Sequence, residues 1–121
     1  MPRVLVIDDD LAIGIVIEHI LTFEGIEVDR AISGEAALSL LNNGYGQPDL
    51  ILLGLAMPGM DGREVFRQAR AAGVTCPIVF CSAYGAAAAN RELGGQGAIS
   101  KPFAAEALVE SVYAITGNGH V

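Results

Sequence analysis

The feature that most constrains the fold is a regular alternation of short apolar runs with longer segments of helical periodicity. Continuous apolar runs occur at 4–7, 50–53 and 77–81, and turn-favouring residues bound each of them. Runs of this length predict strands that are buried on both faces. In the segments between them apolar residues recur at helical spacing, which predicts one helix after each strand. This alternation is typical of a parallel sheet with helices on both faces.

Two weaker strands complete the pattern. The segment 26–31 alternates apolar and polar residues, and the segment 97–100 is short and only weakly apolar. Alternation is typical of a strand with one face in water, so these two strands are expected at the edges of the sheet. The strand order 2-1-3-4-5 meets this condition and is a known doubly wound order. We predict an α/β fold, one doubly wound (βα)5 domain over residues 1–117, followed by a C-terminal tail at 118–121.

The helix boundaries follow from capping residues and apolar spacing. Helices are predicted at 11–23, at 34–41, from Asp61 or Gly62 to about 72, at 86–93 and at 104–116. Asp9 or Asp10 is expected to cap the first helix, and Ser33 the second. In the third helix one face is expected in the core and the other in water; the core residues are Val65, Phe66 and Ala69, and the water-facing ones are Arg63, Arg67 and Arg70.

Composition excludes several classes of function. With 121 residues, 52% of them hydrophobic, the chain can form one domain with its own core. A net charge of −7 argues against binding to nucleic acid or to an anionic membrane surface. The uncharged stretch 71–90 is broken by Gly73 and Pro77 and is not a membrane span. No leader is visible at the start, so a cytoplasmic location is expected.

Cysteine and histidine residues give no sign of a metal site. Cys76 and Cys81 lack metal-ligand spacing and are expected to be buried, reduced thiols. His19, on the first helix, and His120, in the tail, have no ligand partner in view, so structural roles are expected for both.

In a sheet of this order, ligands bind at the carboxyl ends of strands one and three. Those ends carry Asp8, Asp9 and Asp10 on one strand and Gly54 on the other. Strict alternation along a strand would send the side chains of Asp8 and Asp9 to opposite faces. The residues alone therefore leave open whether these acids converge or form a solvated helix start.

Four separate motifs follow the strands in order. Asp8-Asp9-Asp10 follows the first strand, the segment 54–62 with Pro58-Gly59 and Asp61-Gly62 follows the third, Ser82-Ala83 follows the fourth, and Lys101-Pro102-Phe103 follows the fifth. Together they resemble the receiver domain of two-component response regulators, over essentially all 121 residues. The resemblance implies a flavodoxin-like fold and a role in phosphorelay signal transduction.

The resemblance also implies roles for individual residues. In that family an aspartate at the end of the third strand accepts a phosphoryl group from a histidine kinase. The positions of Asp8, Asp9 and the backbone carbonyl of Ala56 would bind Mg²⁺, a cation that prefers oxygen ligands. Ser82 and Lys101 would contact the phosphoryl oxygens, and the bond between Lys101 and Pro102 would be cis. Without that group, Lys101 is expected to form a salt bridge with Asp8 or Asp9, and Ser82 is by default a turn residue.

The chain departs from the family at decisive positions. Gly54 stands where the family has the phosphoacceptor aspartate, and glycine has no carboxylate. Asp49 begins the same strand but lies at its opposite end, four or five residues away at about 3.3 Å each. Ala98 stands where the family usually has an aromatic residue that moves inward on activation. We therefore expect a pseudo-receiver that is not phosphorylated, is not an enzyme, and binds Mg²⁺ weakly or not at all, with no other cofactor.

Such a domain would act through protein–protein contacts. The expected partner is a histidine kinase, a phosphotransfer protein or an effector domain, with the chain itself a monomer or weak homodimer. One alternative is an ordinary phospho-receiver with an engineered or sporadic Asp-to-Gly change at Gly54. Another is a Mg²⁺-dependent phosphatase or phosphotransferase with Asp8 or Asp9 as nucleophile, although such enzymes need extra acids and a cap.

Overall fold

A computed structural model describes residues 2–117, in which five strands and five helices alternate. The elements are β1 (Arg3–Ile7), α1 (Leu11–Phe23), β2 (Glu27–Ala31), α2 (Gly34–Asn42), β3 (Leu50–Leu53), α3 (Gly62–Ala71), β4 (Ile78–Ser82), α4 (Ala86–Leu93), β5 (Gly97–Ser100) and α5 (Ala105–Thr116). The predicted boundaries are correct to within one or two residues. The tail expected at 118–121, with His120, lies outside the described residues.

All five strands are parallel and lie in the order β2-β1-β3-β4-β5, which confirms the predicted topology. The continuous apolar strands β1, β3 and β4 occupy the centre, and the weaker β2 and β5 form the edges. Because the strands are parallel, their carboxyl ends meet at one edge of the sheet. The register pairs Ile7 with Leu53 and Ser82 with Ser100, so the residues that follow these positions lie side by side.

Two core layers form because successive residues of each central strand point to opposite faces of the sheet. On one face Ile7, Ile51 and Phe80 pack with residues of α2, α3 and α4. On the other face Val6 and Leu52 pack with residues of α1 and α5. Burial of a large apolar side chain stabilises the fold by roughly 1.5–3 kcal/mol, so a fully apolar strand that feeds both layers must lie at the centre. No described helix is both long enough and apolar enough to span a membrane.

The first helix forms where predicted, but several of its apolar residues do not face the core. Ile17 and Leu21 are buried against the sheet, whereas Leu11 and Ile15 are each 56% exposed and Phe23 is 85% exposed. A helix that packs on a sheet buries only the side chains on one face, and the side chains on the opposite face remain exposed. The apolar spacing therefore predicted the helix correctly without identifying which apolar residues are buried.

The prediction that Arg70 faces water is wrong. One guanidinium nitrogen donates to the carbonyls of Val74 at 3.0 Å and Cys76 at 2.8 Å. The other donates to Gln96 Oε1 at 3.1 Å, and the group lies 4.9 Å from the centre of the Phe66 ring. Arg70 thus joins the end of α3 to the turn before β4 and to the segment before β5, because its fork can reach several carbonyls at once.

The helix caps resolve two alternatives that the sequence left open. Asp10, and not Asp9, caps α1, with its Oδ1 accepting from the backbone N–H groups of Ala12 and Ile13. Asp61 caps α3 by accepting from the N–H of Glu64 at 3.0 Å. The helix therefore begins at Gly62, and Asp61 has a structural role.

Candidate functional site

The carboxyl ends of β1, β3 and β4 and the loop after β5 enclose a cleft of about 370 Å³. Its lining comprises Asp8, Asp9, Asp10, Gly54, Leu55, Ala56, Ser82, Ala83, Tyr84 and Lys101. The structure thus brings together six of the site residues expected from the sequence, namely Asp8, Asp9, Gly54, Ala56, Ser82 and Lys101. Ala98 is not among the lining residues; it is exposed on the edge strand β5, paired with Phe80.

Asp8 has both carboxylate oxygens engaged. Its residue is 8% exposed, Oδ1 accepts from the backbone N–H of Asp10 at 2.9 Å, and Oδ2 accepts from Lys101 Nζ at 2.6 Å. The bond expected between Lys101 and one of the first two acids is therefore formed with Asp8. A hydrogen bond between two charged groups is stronger than one between neutral groups, and it is strongest away from water.

Lys101 ties the loop after β5 to the end of β1. Its side chain is 19% exposed and that of Asp8 is 6% exposed, so the ion pair is largely buried. The backbone N–H of Lys101 also donates to the Ser82 carbonyl at 3.0 Å, and the Lys101–Pro102 bond is cis. Removing one partner of such a pair leaves the other charge buried and alone, which is strongly destabilising.

Asp9 also lines the cleft, but among the described residues its carboxylate is unpaired, unlike that of Asp8. Within residues 2–117 it has no hydrogen-bond or ion-pair partner, and the residue is exposed. Asp10 is committed to the start of α1, as described above. The cleft therefore holds one paired carboxylate, one capping carboxylate and one solvated carboxylate opposite a single ammonium group.

Gly54 lies at the end of β3 in close contact with β1. Its N–H donates to the Ile7 carbonyl at 2.9 Å. A Cβ atom added here would lie 3.1 Å from Asp8 Oδ2 and 3.3 Å from the Ile7 carbonyl oxygen, and the φ angle of Gly54 is not in the left-handed region. A side chain at this position therefore needs both the Asp8 carboxylate, which Lys101 holds, and the Ile7 carbonyl to move by a few tenths of an ångström.

The loop after β3 folds back closely on Gly54. The N–H of Gly62 donates to the Leu55 carbonyl at 2.9 Å. A Cβ atom on Gly62 would lie 2.1 Å from the Gly54 carbonyl oxygen, so only glycine allows this approach. The turn-rich segment after β3 is therefore packed closely, and its first residues, Leu55 and Ala56, line the cleft.

Ser82 closes the cleft at the end of β4. The residue is 8% exposed and lines the cleft. Its neighbour Cys81 is buried with a free thiol. Burial raises the pKa of Cys81 to about 11, against the opposing effect of the Lys101 ammonium. The thiol is therefore protonated at neutral pH and is a poor nucleophile.

The donor set does not match a strong Mg²⁺ site. Among the described residues no group of three or more His, Cys, Asp or Glu side chains is placed to hold a metal ion. Mg²⁺ needs an octahedron of oxygens, and the ammonium of Lys101 already neutralises the Asp8 carboxylate. The family resemblance implies three Mg²⁺ ligands here, namely Asp8, Asp9 and the Ala56 carbonyl. Of these, only the Asp9 carboxylate and the Ala56 carbonyl are not already paired with Lys101.

Sequence reasoning did not single out Tyr84 or Leu55 as cleft residues. Tyr84 is 88% exposed, and both residues line the cleft. Tyr84 follows directly after Ser82-Ala83 in the loop between β4 and α4. Its position at the carboxyl end of a central strand was the available signal, since loops at that edge surround the site.

The sequence matches the response regulator receiver domain family over residues 4–113. Curated relatives include the response regulator MprA of Mycobacterium sp. (strain KMS), which is 36% identical over 116 residues, covering 93% of this chain and 50% of the relative. The corresponding protein of Mycobacterium avium (strain 104) is 34% identical over the same length. The chain spans about half the length of the curated relatives it matches.

Solved structures share the fold along nearly the whole chain. The chemotaxis protein CheY4 of Vibrio cholerae matches with a TM-score of 0.85 and 27% identity, covering 95% of this chain and 98% of that one. A response regulator receiver protein from Burkholderia phymatum matches with a TM-score of 0.86 and 32% identity, covering 97% and 96% of the two chains. From the family match, the relatives and these structures, the chain belongs to the response regulator receiver domain family.

Proposed function

We propose that this chain is a degenerate receiver domain, over residues 1–117, that signals through protein contacts and accepts no phosphoryl group at the end of β3. The observation that carries the proposal is Gly54. It directly follows the central strand β3 and lines the cleft, and a Cβ atom there would lie 3.1 Å from Asp8 Oδ2. This is the place where a receiver carries its acceptor carboxylate, and Gly54 has no atom that could form an acyl phosphate.

The remaining cleft residues support the same proposal. The Asp8 carboxylate is bound to Lys101 and to the Asp10 N–H, which makes it a weaker nucleophile than a free carboxylate. Ser82, which lines the cleft, is proposed to be a remnant of phosphoryl recognition. Mg²⁺ binds weakly or not at all, since its site lacks the third carboxylate. The domain is therefore proposed not to be an enzyme.

The partner is proposed to be a histidine kinase, a phosphotransfer protein or an effector domain. A relative named a response regulator is about twice as long as the matched region, so receiver domains of this kind occur beside other segments. Without phosphorylation, a partner can shift the conformation of this domain only through differential contacts with its surface.

The proposal is tested by incubating the chain with acetyl phosphate and Mg²⁺ and measuring its intact mass. The wild-type chain is expected to keep its mass. The variant Gly54→Asp is expected to gain the mass of one phosphoryl group, and Gly54→Asn, which has the same shape without the charge, is expected to gain none. A phosphoryl gain on the wild-type chain would overturn the proposal.

A further inference from the structure

The turn between α2 and β3 begins with the pair Asn43-Gly44. Asn43 is the C-cap residue of α2, and both residues of the pair are exposed. An asparagine side chain can react with the backbone nitrogen of the next residue, and a glycine there hinders the approach least because it has no Cβ atom. The chain has four asparagines, of which Asn43 and Asn118 precede glycine, and Asn118 lies outside the described residues.

Gly44 has open space around it. It adopts the left-handed conformation, with φ at 80°, and a Cβ atom added to it would have no neighbouring atom within 4 Å. The backbone N–H of Asn43 donates to the Leu40 carbonyl at 3.3 Å, which is long for such a bond. The last turn of α2 therefore holds Asn43 weakly, and its ψ angle, 40° in the structure, can rotate to bring the Gly44 nitrogen to the side chain.

The side-chain amide of Asn43 is accessible. Its Nδ2 donates to Ser39 Oγ at 3.1 Å, one helical turn earlier, and both groups are exposed. Water can replace an exposed bond of this kind at little cost in free energy, because it offers the amide an equivalent acceptor. The amide carbon of Asn43 can therefore leave this position and meet the Gly44 nitrogen.

The other described asparagines differ in both respects. Asn42 is the last residue of α2, and the residue that follows it has a side chain. Asn90 lies within α4, where its carbonyl accepts from the Gly94 N–H at 2.9 Å, and it precedes Arg91. A helical backbone keeps the next nitrogen away from the side-chain amide, so Asn42 and Asn90 serve as internal controls.

We propose that Asn43 is a site of spontaneous deamidation, which converts its amide into a carboxylate through a cyclic imide. The Gly44 nitrogen loses its proton and attacks Asn43 Cγ, so an N–Cγ bond forms, the Cγ–Nδ2 bond breaks, and ammonia leaves with that proton. One water molecule then opens the imide. Opening at Cγ gives aspartate, whereas opening at the main-chain carbonyl carbon gives isoaspartate, in which the backbone runs through Cβ and Cγ.

The first consequence is a negative charge at the end of α2. The carboxyl end of a helix carries unpaired carbonyl groups and a partial negative charge, so a carboxylate at the C-cap position is unfavourable. The Ser39 hydroxyl also loses its Nδ2 donor. Conversion of Asn43 is therefore expected to lower Tm by roughly 1–4 °C.

The isoaspartyl product also lengthens the backbone where both sides are fixed. After Gly44, the carbonyls of Tyr45 and Gln47 accept from the Arg3 guanidinium at 3.3 Å and 3.2 Å. Gln47 Oε1 in turn accepts from the Thr75 N–H at 2.7 Å. Since α2 is packed on the sheet before the pair, the extra main-chain carbon must displace either the end of α2 or the contacts of Arg3.

The test follows the intact wild-type chain during incubation at neutral and at mildly alkaline pH. Trypsin then places Asn43, Asn90 and Asn118 in the separate segments 31–63, 71–91 and 92–121. The segment 31–63 is expected to gain the mass difference between an amide and a carboxyl group, faster at the higher pH, because the attacking nitrogen must lose its proton. Fragmentation assigns the change to Asn43, and a methyltransferase specific for isoaspartate labels the product. The segment 71–91 is expected to convert at least roughly tenfold more slowly, since its geometry opposes attack.

Two variants separate the reaction from its consequences. Asn43→Gln keeps an amide but needs a larger ring, so its segment is expected to keep its mass over the same incubation. Asn43→Asp carries the new charge without the longer backbone. Incubated wild type is expected to melt below fresh wild type and, where isoaspartate accumulates, below Asn43→Asp as well. Incubated Asn43→Gln is expected to melt as it does when fresh.

Several results would overturn the proposal. One is a segment 31–63 that keeps its mass while the segment 92–121 converts, because the fold would then protect Asn43. Others are equal conversion of the segments 31–63 and 71–91, assignment of the change to Asn42, and conversion of Asn43 only after the chain is unfolded in urea. No outcome depends on the proposed function, since the reaction involves neither a phosphoryl group nor a partner protein.

Discussion

The replacement of Gly54 by Asp tests what the missing carboxylate does to the cleft. A carboxylate at this position would lie close to that of Asp8, since its Cβ atom would be 3.1 Å from Asp8 Oδ2, and Asp9 lines the same cleft. Two carboxylates about 5 Å apart repel by about 3 kcal/mol at an effective dielectric constant of 20. Lys101 is bound to Asp8 and attracts the new charge about as strongly as Asp8 repels it, so those two contributions largely cancel. The repulsion from Asp9 remains.

Solvent and backbone effects reduce this repulsion. Asp9 is exposed, so screening lowers its contribution to about 1–2 kcal/mol. Replacing glycine is worth roughly 0.5–1 kcal/mol in backbone entropy, and the 3.1 Å contact of the new Cβ atom with Asp8 Oδ2 offsets part of that gain. In chelator, Gly54→Asp should therefore be less stable than the wild-type chain by about 1 kcal/mol, which corresponds to a fall in Tm of about 4 °C.

The assay is thermal unfolding, followed by circular dichroism, of the wild type, Gly54→Asn and Gly54→Asp. In chelator the Asp variant should melt lowest, and about 1–2 kcal/mol should separate it from the neutral Asn variant, which has the same shape. In millimolar Mg²⁺ the order should reverse, because a third carboxylate completes a site for the cation. A metal concentration ten times Kd stabilises by about 1.4 kcal/mol.

Two results would refute this reasoning. If the Asp and Asn variants melt together in chelator, the charge of the new side chain does not matter, and the cleft is less acidic than its residues indicate. If Mg²⁺ raises the Tm of all three chains equally, Asp8, Asp9 and the Ala56 carbonyl suffice for metal binding. The second outcome would show that Gly54 is not what weakens the site.

Three further predictions follow from named contacts. Lys101→Met should lower the free energy of unfolding by roughly 3 kcal/mol in urea titrations. The double variant Lys101→Met with Asp8→Asn should lose less unfolding free energy than the sum of the losses in the two single variants. Folding raises the pKa of Cys81 from 9.0 to about 11, so the thiol of the unfolded chain ionises at lower pH than the thiol of the folded chain. The free energy of unfolding should therefore fall by about 2–3 kcal/mol between pH 9 and 11, and Cys81→Ala should remove that part of the fall. Arg70→Lys should lower the free energy of unfolding by roughly 1–2 kcal/mol, because one ammonium group cannot make all the contacts of the guanidinium group. Arg67→Lys, on the exposed side of α3, should leave the free energy of unfolding in urea unchanged.

The fold could be predicted because its determinants are local and repeated. The apolar runs of β1, β3 and β4 have no polar face, so they had to lie in the sheet centre, and the alternation in β2 placed it at an edge. Caps such as Asp10, Ser33 and Asp61 are short-range signals that set helix boundaries. The strand order then followed from which strands could tolerate an edge.

The contacts of the site could be predicted only in part, because they depend on how distant segments meet. The sequence placed Lys101 near an acid but left Asp8 and Asp9 as equal candidates; only the structure shows that Asp8 is the buried one. The contacts of Arg70 could not be predicted, because it binds the backbone carbonyls of Val74 and Cys76 in a turn. A pattern of apolar residues carries no information about which backbone carbonyls lack a partner. The exposure of Leu11, Ile15 and Phe23 on α1 could not be predicted, because spacing alone does not distinguish an outward-facing apolar residue from an inward-facing one.

The ion pair between Asp8 and Lys101 also lies close to the starts of two helices. α1 starts three residues after Asp8, and α5 starts four residues after Lys101. One 2.6 Å contact thus joins the segments that lead into α1 and α5. Any partner that separated Lys101 from Asp8 would remove this link, so an event inside the cleft would be felt where both helices begin.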